Sequence, residues 1–219
     1  MLAINPTPTG IGVVLTTSMD VMNQLYDWVY AILDIDYEKE DGPQNPRDCM
    51  SQAFAYEIRH ACMDAESEAQ QRKIVPCTIK MIWPDAILYI MCLRQKAAYT
   101  SLTHEQLALL NKLETELKHA MYEYDPKSAV DNEHLVQPLF DLNSESLFSL
   151  QYYMHNEYIN TRPRKRAFKN LAAIMHSFLD NFGERRRLIE QENIKGAKKY
   201  KCAIRDLRPV EEYLKVKRW

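Results

Sequence analysis

Glycine is scarce in this chain, with five residues among 219: Gly10, Gly12, Gly42, Gly183 and Gly196. A dinucleotide-binding fingerprint needs three glycines within six residues. A P-loop needs Gly-Lys-Ser/Thr behind an earlier glycine, so that backbone amides can close on phosphate. The GIG at residues 10–12 has Leu15 where a third glycine belongs, and no Gly-Lys-Ser/Thr occurs. Both phosphate cradles are excluded, as is the Gly-x-Ser-x-Gly nucleophile elbow, which is also missing. Long apolar runs are lacking too. The strongest, AILYIMCL, lies between Asp85 and Arg94 and is far shorter than the roughly 20 residues a bilayer demands. No membrane partner is expected, and the start at Met1 shows no charged leader with an apolar run that would predict a signal peptide. The five cysteines (Cys49, Cys62, Cys77, Cys92, Cys202) form an odd set without a Cys-x-x-Cys pair. They read as reduced, mostly buried thiols of a cytoplasmic protein.

What is present is a core-forming composition: 46% hydrophobic residues, with 13 Tyr, 6 Phe and 3 Trp. The β-branched stretch TGIGVVLTTS predicts a strand over 9–18. Asp20 then opens a helix in which Val21, Leu25, Trp28, Val29 and Ile32 fall on one stripe. An acidic, turn-rich loop fills 36–46, and Pro46 suits the first turn of the next helix. A second strand is read in IVPCTIKMIW, where Cys77, Ile79, Met81 and Trp83 alternate with Thr78, Lys80 and Ile82; Pro76 restricts it to an edge or an entry position. The helix begun by Pro84 is apolar all round for two turns, as a central buried helix is. Thr103-His-Glu-Gln106 is a capping box that opens a helix ending at Asp125-Pro126. After a loop, HLVQPLF forms a short helix or turn.

Two further helices are expected over 144–160 and 164–180, the second with Phe168, Leu171, Ala172, Met175, Phe178 and Leu179 on one face and Gly183 as its C-terminal cap. ERRRLIEQEN then reads as a short helix, YKCAIRD alternates like a strand, and PVEEYLK makes a last turn or two. The expected fold is mainly α (α+β): about six helices with a small sheet of two or three strands. Residues 1–183 form the helical domain, and 184–219 a basic C-terminal extension that packs on it or stands free.

Two Glu-x-x-His pairs, Glu57/His60 in YEIRH and Glu116/His119 in ELKH, raise the question of a carboxylate-bridged di-iron site. Such a site needs all its ligands turned into a helix bundle. At 100° per residue, Glu116 stands roughly 110° from the centre of the Leu107-Leu110-Leu113-Leu117-Met121-Tyr124 stripe, and His119 is nearly opposite it. Glu57 flanks the stripe of Phe54, Ile58, Ala61 and Ala65, while His60 lies beside Ala53, Tyr56 and Met63 on a second face. The additional carboxylates of a di-iron set are missing, so neither metal nor cofactor is expected. Glu57, Arg59 and His60 remain, as an alternative, a candidate polar, small-ligand or metal site. His134 and His155, in NEH and HNE, read as solvated side chains without metal-ligand spacing.

The net charge of −2 hides an asymmetry. Residues 1–150 carry 11 Lys+Arg against 22 Asp+Glu, a balance of −11; residues 151–219 carry 17 against 8, a balance of +9. On a helix, Arg162, Lys165, Arg166 and Lys169 stack at i, i+3, i+4 and i+7, with Arg164 between them. Cations there oppose the positive end of the helix dipole, and an anion would relieve the repulsion. The candidate anion-binding set is therefore Arg162, Arg164, Lys165, Arg166 and Lys169, directed at nucleic acid, another polyanion or an acidic partner. The bland alternative is a solvated face neutralised by the acidic remainder of the fold or across a dimer.

The segments NPTPTGIGVVL, MNQLYDWVYAIL, AYEIRHA and IKMIWPDAILYIM resemble a family of short bacterial proteins known as a domain of unknown function, over about residues 1–100. The resemblance implies a shared fold and places Glu57, Arg59 and His60 in a family stretch, without implying an activity. Taken together, these readings favour a cytoplasmic, non-enzymatic helical interaction module that self-associates.

Overall fold

Two glycines shape the first turn of the chain in the computed structural model, which describes residues 2–33, 45–69, 75–137, 139–207 and 219. Strands β1 (Ala3–Pro6) and β2 (Gly12–Thr17) are joined by a turn closed by Thr7 N–H to the Gly12 carbonyl and Gly10 N–H to the Thr7 carbonyl, both 2.8 Å. Gly10 has φ +68°, and the Tyr124 ring occupies the space a Cβ would fill. A Cβ on Gly12 would overlap the Met81 carbonyl of strand β3 (Cys77–Ile82). The GIG that imitates a phosphate loop therefore serves a tight turn and a close strand pairing.

The three strands form one antiparallel sheet in the order β1-β2-β3. Ile4 opposes Leu15, which opposes Ile79, and Val13 opposes Met81; all five side chains are buried on one face. β3 lies at an edge, as Pro76 requires. The strand expected over 9–18 begins only at Gly12. β1 escaped the sequence reading because Pro6 and Pro8 have the signature of a turn.

Helices α1 (Met19–Leu33) and α2 (Pro46–Ala69) pack on one another. Leu25, Trp28, Val29 and Ile32 of α1 are buried as expected, and so are Phe54, Ile58, Ala61 and Ala65 of α2. Helix α3 (Trp83–Ala97) starts with Trp83, whose indole N–H donates to the Gly10 carbonyl at 3.2 Å. From Trp83 to Leu93 every α3 residue except Asp85 is buried, so this helix is the axis of the core. Helix α4 (His104–Tyr124) opens with both bonds of the Thr103/Gln106 capping box. Its stripe of Leu110, Leu113, Leu117 and Met121 is buried, while Leu107 in the first turn stays exposed.

The second half departs further from expectation. The stretch read as a loop after Asp125 contains α5 (Pro126–Asn132), and the short helix or turn read in HLVQPLF is a 3-10 turn, Glu133–Val136. Helix α6 (Leu147–Asn160) is as expected, but the single helix read over 164–180 is two, α7 (Arg164–Lys169) and α8 (Leu171–Leu179). The break at Asn170 has a visible cause. Asn132 is fully buried; its side-chain NH2 donates to the Phe168 carbonyl at 2.8 Å, and its carbonyl oxygen accepts from the Ala172 N–H at 3.2 Å. One amide from a distant helix thus satisfies the two backbone groups that the break exposes. The apolar stripe continues across the break, which is why periodicity alone reads one helix.

Helix α9 (Glu184–Tyr200) is longer than the short helix expected, and the strand read in YKCAIRD is absent. The chain leaves α9 through Lys201 in the left-handed conformation (φ 53°) and makes a 3-10 turn at Ile204–Asp206. Gly183 is not the left-handed cap of α8; it has φ −59° and begins α9, and a Cβ there would overlap the Ser177 carbonyl. The described residues hold nine α-helices rather than about six, with the small antiparallel sheet of an α+β fold. The loop read over 36–46 falls mostly outside the described residues, as does the closing turn at 209–215.

Candidate interaction surfaces

Glu57, Arg59 and His60 sit in the middle of α2 on the side away from the core. Glu57 and Arg59 are exposed and His60 is half-buried. The contacts there are aromatic rather than ligand-like. The Arg59 guanidinium lies 5.0 Å from the Tyr56 ring centroid, and the Tyr56 and His60 rings meet edge to face at 4.3 Å. His60 Nε2 is buried and has no hydrogen-bond partner. Among the described residues the side chain that engages His60 is Tyr56, not Glu57. The second pair behaves as its facing angle requires. His119 is 70% exposed and stands 4.0 Å from Glu116, which itself pairs with Lys112 at 2.6 Å along the outside of α4. Among the described residues, no group of three or more His, Cys, Asp or Glu is placed to hold a metal ion.

The basic candidates divide into two kinds. Arg164 is partly buried and donates from Nη1 to the Ile159 carbonyl at the end of α6 (2.7 Å), tying α7 to the helix before it. Burial, followed by the neighbouring charge of Arg162, lowers the pKa of Arg164 from its ordinary value. Arg162, Lys165, Arg166 and Lys169 are exposed. Arg162 precedes the helix, with Pro163 at the N-cap, so the four-residue helical stack expected from spacing is a turn residue followed by three cations on α7. Among the described residues, the ion pairs of the basic third are Arg185–Glu157 (3.4 Å), Arg186–Glu190 (3.0 Å), the helical pair His176–Asp180 (3.7 Å) and His155–Asp85 (2.8 Å). None of them engages the four exposed cations.

Several polar groups that matter to the architecture were invisible in the sequence. His155, read as solvated, is only 13% exposed; its Nδ1 lies 2.8 Å from Asp85 in the first turn of α3, and Gln151 donates to the same carboxylate at 3.2 Å. Arg186 is buried. It donates to the Leu179 carbonyl (2.7 Å) and the Asp141 carbonyl (3.2 Å), closing the end of α8 and holding α9 against it. Arg94 of α3 donates from Nε and Nη2 to the two carboxylate oxygens of Glu114 of α4, at 2.5 and 2.6 Å. Each pairing joins residues from different elements, so no local spacing announces it. A shallow pocket of about 380 Å³ lies along the end of α8, lined by His176, Ser177, Asp180 and the 90% exposed Phe182.

The five cysteines are unbridged thiols, and Cys62, Cys77 and Cys92 are buried. Burial, reinforced by the adjacent Cys77, pushes the Cys62 thiol up to about 11. No described helix is long and apolar enough to cross a membrane. The model of a family described as a domain of unknown function, DUF6904, matches residues 2–219, well past the first hundred residues that the segment likeness covers. No curated protein and no solved structure matches the chain.

Proposed function

Starting from a chain that belongs to the DUF6904 family, a domain of unknown function, we propose that the protein acts by binding rather than by catalysis and that its α7 surface receives an anionic polymer, with nucleic acid as the representative ligand. The observation that carries this reading is the set Arg162, Lys165, Arg166 and Lys169. These four are exposed within eight residues of chain, and none takes part in the ion pairs of the basic third. A surface cation that already has a carboxylate partner exchanges one neighbour for another when a phosphate arrives. A cation without one releases only water and counterions, and counterion release favours association with a polyanion.

The rigid support for this surface is supplied from below. Ala167 and Phe168 of α7 are buried, the Phe168 ring lies tilted 4.9 Å from Trp83 and meets Tyr124 edge to face at 5.0 Å, and Arg164 anchors the start of the helix. The charged side chains therefore project from a fixed base. The combined variant Arg162→Gln, Lys165→Gln, Arg166→Gln, Lys169→Gln removes the charge without touching that base. On an immobilised heparin column the wild-type protein is expected to be retained at low salt and the variant to elute earlier. Flow-through of the wild-type protein at low salt, or equal retention of both, contradicts the reading.

A further inference from the structure

The outward faces of α2 and α9 are opposite in charge and alike in carrying isolated apolar side chains. On α2, Tyr56 and Met63 are 52% and 55% exposed, and the carboxylates of Glu57, Asp64 and Glu66 are exposed on the two flanks of that pair. At 100° per residue, Glu57 and Asp64 fall within about 20° of one another on one flank, and Glu66 falls beside Arg59 on the other. On α9, Leu188 and Ile194 are 51% and 43% exposed and stand about 120° apart around the helix; the arc between them carries exposed Arg187, Lys195 and Lys198 with Glu184, and Lys199 and Glu192 are exposed beside Leu188. The opposite side of α9 is already in use: Arg186 and Ile189 are buried, and Leu207 folds back onto Gly196, where a Cβ would come within 3.3 Å of it. What remains is an outward arc of α9, edged by Leu188 and Ile194, in which Arg187, Lys195 and Lys198 outnumber Glu184.

We infer that α2 and α9 are the two halves of a self-association contact, in which the cationic face of α9 on one copy docks on the anionic face of α2 on another. The occupant follows from complementarity. Two α2 faces would set carboxylates against carboxylates, and two α9 faces would set lysines against lysines, each a repulsive arrangement. Only the unlike pairing sets the exposed cations of α9 against the carboxylates that flank Tyr56 and Met63 on α2. The same pairing makes physical sense of a chain whose first 150 residues carry a balance of −11 and whose remainder carries +9. This contact is independent of the polyanion surface, because none of Arg162, Lys165, Arg166 and Lys169 takes part in it.

The test is a charge exchange read by light scattering behind gel filtration at low salt. The wild-type chain is expected to run above its single-chain mass in a concentration-dependent way. The variant Glu57→Lys, Asp64→Lys, Glu66→Lys and the variant Lys195→Glu, Lys198→Glu, Lys199→Glu are each expected at single-chain mass. An equimolar mixture of the two restores the larger species, since the reversed faces again match. A wild-type chain that stays at single-chain mass at every concentration overturns the inference. So does self-association that survives either reversal, or a mixture of two folded variants that remains monomeric. If circular dichroism shows either variant unfolded, carbodiimide cross-linking of mixed 14N- and 15N-labelled wild-type chains decides. Mixed-isotope links from α2 carboxylates to α9 lysines support the contact, and intermolecular links confined to other elements, or none, overturn it.

Discussion

α3 and α9 are of similar length, 15 and 17 residues, and they are held in place by different physics. α3 is surrounded: ten of its side chains are buried, and it touches the sheet side of the core as well as α2, α4, α6 and α8. α9 buries only Arg186 and Ile189, and it is fastened by the bonds Arg186 makes to the backbone at Leu179 and Asp141. The first is stabilised by area removed from water, at roughly 25 cal/mol per Å2. The second depends on a few directed hydrogen bonds, each modest on its own. Opening of α9 is therefore expected as a local event, whereas opening of α3 requires the whole fold to open.

The largest expected effect lies on the α3 side of this contrast. Leu88→Ala leaves a cavity in a fully buried position and should lower global stability by about 2–5 kcal/mol in urea denaturation. A loss below 1 kcal/mol would mean that α3 is not the axis of the core.

The buried half also carries a limit at high pH. The Cys62 thiol has its pKa raised by burial to about 11 from an ordinary 9.0. The folded state holds the proton more tightly than the unfolded chain, so this contribution is complete below pH 9 and is lost as pH rises through 11. Cys62→Ala should fall less steeply in stability between those values than the wild-type protein; parallel curves would contradict the burial assigned to this thiol.

The smallest effect belongs to α9. Arg186→Met keeps the apolar stem and removes the donors, a loss of about 1–3 kcal/mol felt locally. Hydrogen exchange should speed up in α9 and at the end of α8 while α3 amides keep their protection. Uniform loss across both helices would erase the distinction drawn between them.

The same contrast explains what was legible in the sequence. A helix held by burial writes its environment into its residues, so the apolar run after Pro84, the α1 stripe and the Thr103 capping box could be read directly. A helix held by a few directed bonds does not. ERRR looks like a solvated charge run, and nothing local distinguishes Arg186, which is buried, from Arg185 and Arg187, which are exposed. Asn132 and His155 pose the same difficulty: their partners, Phe168 and Ala172 for one and Asp85 for the other, come from elements 36 to 70 residues away. The outward turn of His119 followed from helical geometry. The ring contacts at Tyr56, Arg59 and His60 did not, because spacing places side chains on a face without saying which neighbour each will choose.

The central claim, that the cations on and before α7 form an open binding surface, is tested most directly by titrating a labelled single-stranded oligonucleotide over a series of salt concentrations. With four phosphate contacts, the logarithm of the association constant should fall against the logarithm of salt with a slope near −3. Changing Arg162, Lys165, Arg166 and Lys169 to Gln should flatten that slope. Absence of binding at the lowest salt, or an unchanged slope in the fourfold variant, would contradict the account.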